Sequence, residues 1–158
     1  MRVISTASQI FIERTPTEVF RYVTTPDNWV GTHPVTASVR GATHEPAGAG
    51  THWKEMIQPN PQAEPFETEW WVTIAVPSRL WIIETEKLAF PGLRCRIAYT
   101  FVSAGKGTHF YRDMACLVDD EVQLDPGLAD ALANPAPHDA YVASIKEKLE
   151  YQSSGKPT

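Results

Sequence analysis

Positive charge is scarce in this chain. Lys and Arg number 14 against 19 Asp and Glu over 158 residues, a formal net charge of -5. A nucleic-acid binder needs a basic stripe to neutralise phosphates, so that class is excluded as an expectation. Cysteine is scarcer still. Cys95 and Cys116 stand far apart, which does not match a zinc motif, and a cytoplasmic location would keep both reduced. No apolar run approaches about 18 residues, so no membrane-spanning helix is expected. The first residues lack a signal-peptide pattern, and a soluble cytoplasmic protein follows as the expectation. The five histidines, at 33, 44, 52, 109 and 138, show no metal-ligand spacing. G-x-S-x-G, a glycine-rich phosphate loop, a redox C-x-x-C and internal repeats are all missing from the sequence. The expectation is therefore a protein without metal, nucleotide, other cofactor or covalent nucleophile.

Hydrophobic residues make up 42% and charged residues 21%, ordinary usage for one globular domain of this length. The 13 prolines are spread over breaks, which argues against a linker. The opening is the most informative stretch. Ile4, Thr6, Ser8, Ile10 and Ile12 share one face of a strand. Thr15-Pro16-Thr17-Glu18 then starts a helix: Thr15 can cap it, Pro16 suits the first helical position, and Glu18 falls three residues after the cap. Val19, Phe20 and Val23 give that helix an apolar stripe. Thr25-Pro26-Asp27 ends it and is expected to cap a second short helix.

Almost everything between residues 37 and 118 reads as strand: 37–43, 51–57, 66–76, 79–87, 93–103 and 107–118. If the last turn centres on Gly105-Lys106, paired residue numbers sum to 211. Cys95 then faces Cys116, Ile97 faces Met114, Tyr99 faces Arg112, and Phe101 faces Phe110. This gives one apolar face carrying a single cation, Arg112. A slip of one residue would destroy that segregation, so the register is well specified. A buried guanidinium needs a partner. Arg112 either pairs with a buried carboxylate or reaches to the rim, or it meets a carboxylate, enolate or carbonyl oxygen of a ligand beside the Tyr99 hydroxyl.

A two-residue turn at Pro77-Ser78 pairs Trp70 with Thr85, Val72 with Ile83, and Ile74 with Trp81. It faces Trp70, Val72, Trp81 and Ile83 inward and Trp71 outward. A longer turn would reverse this and make Glu84 the partner of Arg112. On the preceding strand Trp53, Glu55 and Ile57 share the more interior face. Glu55 is then either a rim carboxylate or a proton acceptor whose pKa is raised by burial. Residues 119–138 read as a loop with a short helix at 128–133. The final helix is expected to start near Asp139, its cap. It turns Tyr141, Val142, Ile145 and Leu149 inward, with Lys146, Glu147 and Glu150 away.

The pattern I-x-I-x-x-x-P-x-E-V-F-x-Y-V-T-x-P-D-N-W at the start resembles the N-terminus of the SRPBCC (START-like, helix-grip) superfamily. Gly48-Ala49-Gly50-Thr51 before a strand, Tyr99-Thr100-Phe101 with Gly107-Thr108, and the terminal Ile145-Lys146-x-x-Leu149-Glu150 fit as well. That superfamily includes polyketide cyclase/dehydratase-like and lipid-transfer proteins. The resemblance implies an α+β helix-grip fold over residues 1–151, with a polar, frayed tail at 152–158. Its curved antiparallel sheet has about seven strands, two short helices follow strand 1, and a long C-terminal helix lies over the concave face. Trp29 and His33 would border the mouth of an internal cavity. Trp53, Glu55, Trp70, Val72, Trp81, Ile83, Ile97, Tyr99, Phe101, Phe110, Arg112, Met114, Tyr141 and Ile145 would line it. The implied ligand is a hydrophobic or aromatic small molecule, such as a lipid or polyketide, bound by a monomer or homodimer. The other implied activity is that of a cofactor-free cyclase or dehydratase. In it Arg112 and Tyr99 would stabilise an enolate while Glu55 moves a proton.

Overall fold

A computed structural model describes residues 1–85 and 91–152. The chain begins with strand β1 (Arg2–Ile12), helix α1 (Pro16–Val23) and a 3-10 turn (Pro26–Trp29). Strands β2 (Thr36–Gly41), β3 (His52–Ile57), β4 (Phe66–Val76), β5 (Leu80–Thr85), β6 (Leu93–Ala104) and β7 (Gly107–Val118) follow. Helices α2 (Pro126–Ala133) and α3 (Ala136–Gln152) close the chain. Glu86 and Lys87, expected to end β5, and the expected tail from 153 lie outside the described residues. The seven strands form one antiparallel sheet in the order β1-β7-β6-β5-β4-β3-β2. It is a curved helix-grip sheet, with the long helix across its inner face.

Local chemistry explains the first turns. The Thr15 side chain accepts a hydrogen bond from the Glu18 N–H at 3.2 Å, and Pro16 opens α1. Val19, Phe20 and Val23 are buried. Thr25 does not cap the 3-10 turn. Its hydroxyl donates back to the Arg21 carbonyl at 2.7 Å and serves the end of α1 instead.

The β6–β7 hairpin keeps the expected register over its whole length, from Leu93 opposite Val118 to Ala104 opposite Gly107. Gly105 supplies the positive φ, 59°, that a two-residue turn of this kind needs. Cys95 and Cys116 are direct partners with Cα atoms 4.2 Å apart, and they form a disulfide. The expectation of reduced thiols is thus corrected. Inward-facing residues directly opposite each other on neighbouring strands bring the two sulfurs together.

The β4–β5 hairpin differs from expectation at one end. Its loop has three residues, with Val76 opposite Leu80 and Ser78 at φ 63°. A bulge between Val72 and Ile74 absorbs the extra residue, so Val72 still faces Ile83. Trp70, Val72, Trp81 and Ile83 are buried and Trp71 is exposed, as that part of the register requires. Past the bulge the pairing shifts. Trp81 faces Ala75, and Ile74 is turned to solvent. Glu84 stays outside, 3.9 Å from Arg96, and does not approach Arg112.

Helix α3 starts three residues before the expected cap. The Asn134 side chain accepts from the Ala136 N–H at 3.0 Å, and Asp139 falls within the first turn. There Asp139 accepts from the Ser8 hydroxyl at 2.7 Å, tying helix to β1. Tyr141, Val142 and Ile145 are buried against the sheet. Lys146 and Glu150 are not directed away from it. The Lys146 ammonium donates to the Phe11 carbonyl and to Glu150, both at 2.7 Å, and Glu150 accepts from the Glu13 N–H. Helix α2 begins at Pro126, two residues earlier than expected, because Asp125 caps it. No helix among the described residues is long and apolar enough to cross a membrane.

Candidate functional site

The expected lining residues all fall on the inner side of the sheet or under α3, and they divide into two groups. The first is an aromatic wedge beneath α1 and the 3-10 turn. Trp53 and Trp81 stack with centroids 5.7 Å apart, and Trp29 meets both edge-on. Trp29 is fixed by its indole N–H donating to the Val23 carbonyl, and Trp81 likewise by the Ala47 carbonyl. Phe20, Phe101 and Phe110 continue the wedge at spacings of 5.2 and 5.3 Å. These rings pack on one another tightly, as a core does. Two surface concavities, of about 710 and 430 Å³, lie on the convex side of the sheet, around Trp71 and Arg94 and around Ala98 and Asp113.

The second group is polar and buried. Glu55 on β3 is 4% exposed. Its carboxylate accepts from the Thr36 hydroxyl at 2.5 Å and from the Trp70 indole N–H at 3.0 Å. Burial pushes its pKa up, and these two donors together with the more distant Arg112 oppose the rise. Among the described residues four further buried polar atoms have no hydrogen-bond partner: the hydroxyls of Thr6 on β1, Thr68 on β4 and Thr85 on β5, and the Trp53 indole nitrogen on β3. Unsatisfied buried groups of this kind are uncommon and call for a partner.

Arg112 on β7 is 3% exposed. Its Nε donates to the Tyr99 hydroxyl at 3.4 Å and its Nη1 to the His138 Nδ1 at 2.6 Å. The guanidinium lies 5.6 Å from the Tyr99 ring centre and 5.4 Å from that of Tyr141. Among the described residues it forms no ion pair within 4.0 Å; the Glu55 carboxylate acts on it only at longer range. Its partners are thus neutral acceptors and ring faces. Because the Tyr99 hydroxyl accepts from Arg112, its own proton is left to donate.

His33 and His138 complete the cluster. His33 packs at a tilt on Tyr141, with ring centres 4.5 Å apart, and meets His138 edge-on at 6.2 Å. Its Nδ1 accepts from the Val35 N–H at 3.3 Å. Burial first, and then the Arg112 charge, hold both imidazoles neutral; the His138 pKa falls to about 4. Burial also raises the Tyr99 and Tyr141 hydroxyls above their usual range. Sequence reading missed His138 because it placed the residue in a loop before the helix. Asn134, a good capping residue two positions before Ala136, was the signal that the helix starts earlier. Thr36 carried no such signal: its reach to Glu55 crosses a strand pair whose register shifts between Thr36 and Ser38.

Among the described residues no three His, Cys, Asp or Glu side chains gather as metal ligands. The arrangement holds a carboxylate that binds protons more readily than usual and a buried guanidinium whose hydrogen-bond acceptors are neutral.

Comparison with known proteins agrees with this architecture. The family model described as polyketide cyclase / dehydrase and lipid transport matches residues 3–147. No curated protein sequence matches. Among solved structures, the di-domain aromatase/cyclase StfQ of the steffimycin biosynthetic pathway superposes with a TM-score of 0.75 at 12% identity. The match covers 96% of this chain and 52% of that one, so this chain spans about half of StfQ. Truncated norcoclaurine synthase from Thalictrum flavum gives 0.69 at 10% identity, covering 95% of each chain. Ara h 8.0201 gives 0.66 at 10% identity, covering 94% of this chain and 98% of that one. Identities this low establish a shared fold.

Proposed function

The chain belongs to the polyketide cyclase/dehydrase and lipid transport family, and from that premise we propose that it binds a hydrophobic or aromatic small molecule between the sheet and α3. The ligand carries an acidic or carbonyl oxygen that meets Arg112. The observation that supports this reading is the buried guanidinium whose near partners are neutral. A guanidinium serving structure alone is expected to sit against a carboxylate. The apolar part of the ligand packs on Met114, Ile97, Ile83 and Val72, whose side chains share the inner face with Arg112. The closed packing of the aromatic wedge requires α3 or the segment before β2 to yield on entry. In this reading the protein acts as a monomer or homodimer.

The test is the substitution Arg112→Leu with two fluorescent probes of similar shape. 8-Anilino-1-naphthalenesulfonate is anionic and N-phenyl-1-naphthylamine is neutral. The variant should lose about 1.5–3 kcal/mol of affinity for the anionic probe, the scale of a hydrogen bond to a charged group, and keep the neutral one. Parallel loss of both affinities, with a stability drop of about 3–5 kcal/mol, would instead mark Arg112 as half of an internal pair.

Glu55 supports a second reading, a cofactor-free cyclase or dehydratase. A carboxyl with a raised pKa can take a proton from carbon at neutral pH, while Arg112 and the Tyr99 hydroxyl stabilise the resulting enolate. Glu55→Gln would then abolish turnover of a polyketide-like substrate and leave its binding in place. Equal turnover in the variant would exclude Glu55 as the base.

A further inference from the structure

We infer that His138 is a specificity-determining residue of this site: it holds the Arg112 guanidinium until an acidic ligand oxygen displaces it, and it takes up a proton as that oxygen binds. The inference rests on the acidic-oxygen reading above and deepens it. His138 lies in the first turn of α3 and is 8% exposed, where α3 meets the segment carrying His33. Its Nδ1 accepts from Arg112 Nη1 at 2.6 Å, so that nitrogen bears no proton while the contact lasts. An incoming anion competes for the same Nη1. Once Arg112 has turned to the ligand, His138 Nδ1 is free, and a protonated imidazole adds a second donor to the anion.

The groups around His138 direct the proton to it. From β7 there is Arg112, whose charge opposes protonation until an anion offsets it. From the segment before β2 there is His33, whose Nδ1 is occupied by the Val35 N–H, so protonating it breaks a bond. From β6 and α3 come the Tyr99 and Tyr141 hydroxyls, both held neutral by burial. Asp139, the adjacent residue, favours the cation through its charge while its Oδ1 binds Ser8 of β1. Glu55 on β3 is engaged by Thr36 and Trp70 and interacts with Arg112 at longer range.

The linkage has a definite sign. Binding takes up a proton at any pH between the free value, about 4, and the value in the complex. If an anion restores the ordinary imidazole value of about 6.5, affinity rises about thirtyfold from pH 8 to pH 5. The experiment titrates wild type, His138→Asn, His138→Gln and Arg112→Leu with 8-anilino-1-naphthalenesulfonate and N-phenyl-1-naphthylamine across that range. Circular dichroism confirms folding at each pH. Calorimetry of the wild type in two buffers of different ionisation enthalpy reads proton uptake without any variant. The expected result is a steep pH dependence for the sulfonate alone, and net proton uptake near pH 5.5. Both His138 variants should abolish the pH dependence and lose the gain of about thirtyfold for the anion at pH 5, keeping only the preference that Arg112 gives at pH 8. A flat profile or no uptake in the wild type, with the anion still preferred, would overturn this inference and leave the binding reading standing. A slope that survives in a folded His138 variant would also overturn it. No preference for the anion at any pH would bring down the acidic-oxygen reading itself, and this inference with it.

Discussion

Reducing the Cys95–Cys116 disulfide should destabilise the protein by a predictable amount. The bond joins residues 21 apart in sequence. In the chain-entropy treatment, closing a loop of that length removes about 11 cal/mol/K from the unfolded ensemble, or about 3.3 kcal/mol at 25 °C. The native hairpin is already fixed by its ladder, so the cross-link acts mainly on the unfolded chain. For a chain of this size each kcal/mol moves the melting temperature by about 2–4 °C, which gives a shift of about 10 °C. The assay compares urea and thermal unfolding of wild type with and without reductant. The double variant Cys95→Ala/Cys116→Ala, measured the same way, isolates the effect of reductant on everything else. The oxidised protein should also show a lower urea m-value, since a cross-linked unfolded chain exposes less surface. Coincident melting curves for oxidised and reduced wild type would refute the reasoning, because they would mean that the link constrains nothing in the unfolded state.

Two further outcomes test the helix and the carboxylate. On α3 Ile145 is fully buried on the side that faces the sheet and Ala143 is exposed, so Ile145→Asp should cost more than about 3 kcal/mol and Ala143→Asp less than about 0.5 kcal/mol in urea unfolding. Equal losses would remove α3 from the core. Burial raises the Glu55 pKa, so the folded state binds more protons than the unfolded chain above the ordinary carboxyl range, and stability falls as pH rises through the folded value. Glu55→Gln should lose that slope and be at least as stable as wild type at pH 7; a clearly less stable variant would show that Glu55 is held ionised.

The sheet was legible where one face had to be apolar. The β6–β7 register follows from the positions of Cys95, Ile97, Tyr99, Phe101 and their partners, because any other pairing mixes charges into the core. Helix α1 was legible from Thr15, Pro16 and Glu18, whose capping chemistry is local. What escaped the sequence was not local. The outward turn of Ile74 depends on a backbone bulge between Val72 and Ile74, and no residue type there demands one. The register already set Cys95 opposite Cys116, but the expectation of reduced thiols came from an assumed compartment, which the proximity of the two sulfurs overrides. The neutral partner of Arg112 needed the start of α3, where the Asn134 side chain accepts from the Ala136 N–H and Asp139, the expected cap, binds Ser8 of β1 instead.

The bulge between Val72 and Ile74 works as a parity check on the chain. Counting back from the turn, one surplus residue would exchange Trp70 for Trp71 at every inner position of β4 and β5. The bulge cancels the surplus within a few residues of the loop, so errors in turn length stop before they reach the half of the hairpin that faces Glu55 on β3 and Cys95 on β6. The outer half of β4, with Ile74 and Val76 in solvent, is therefore free to vary in length and sequence. The inner half is insulated from that variation. A loop redesigned at Pro77–Arg79 changes the rim of the protein and leaves the facing of its interior alone.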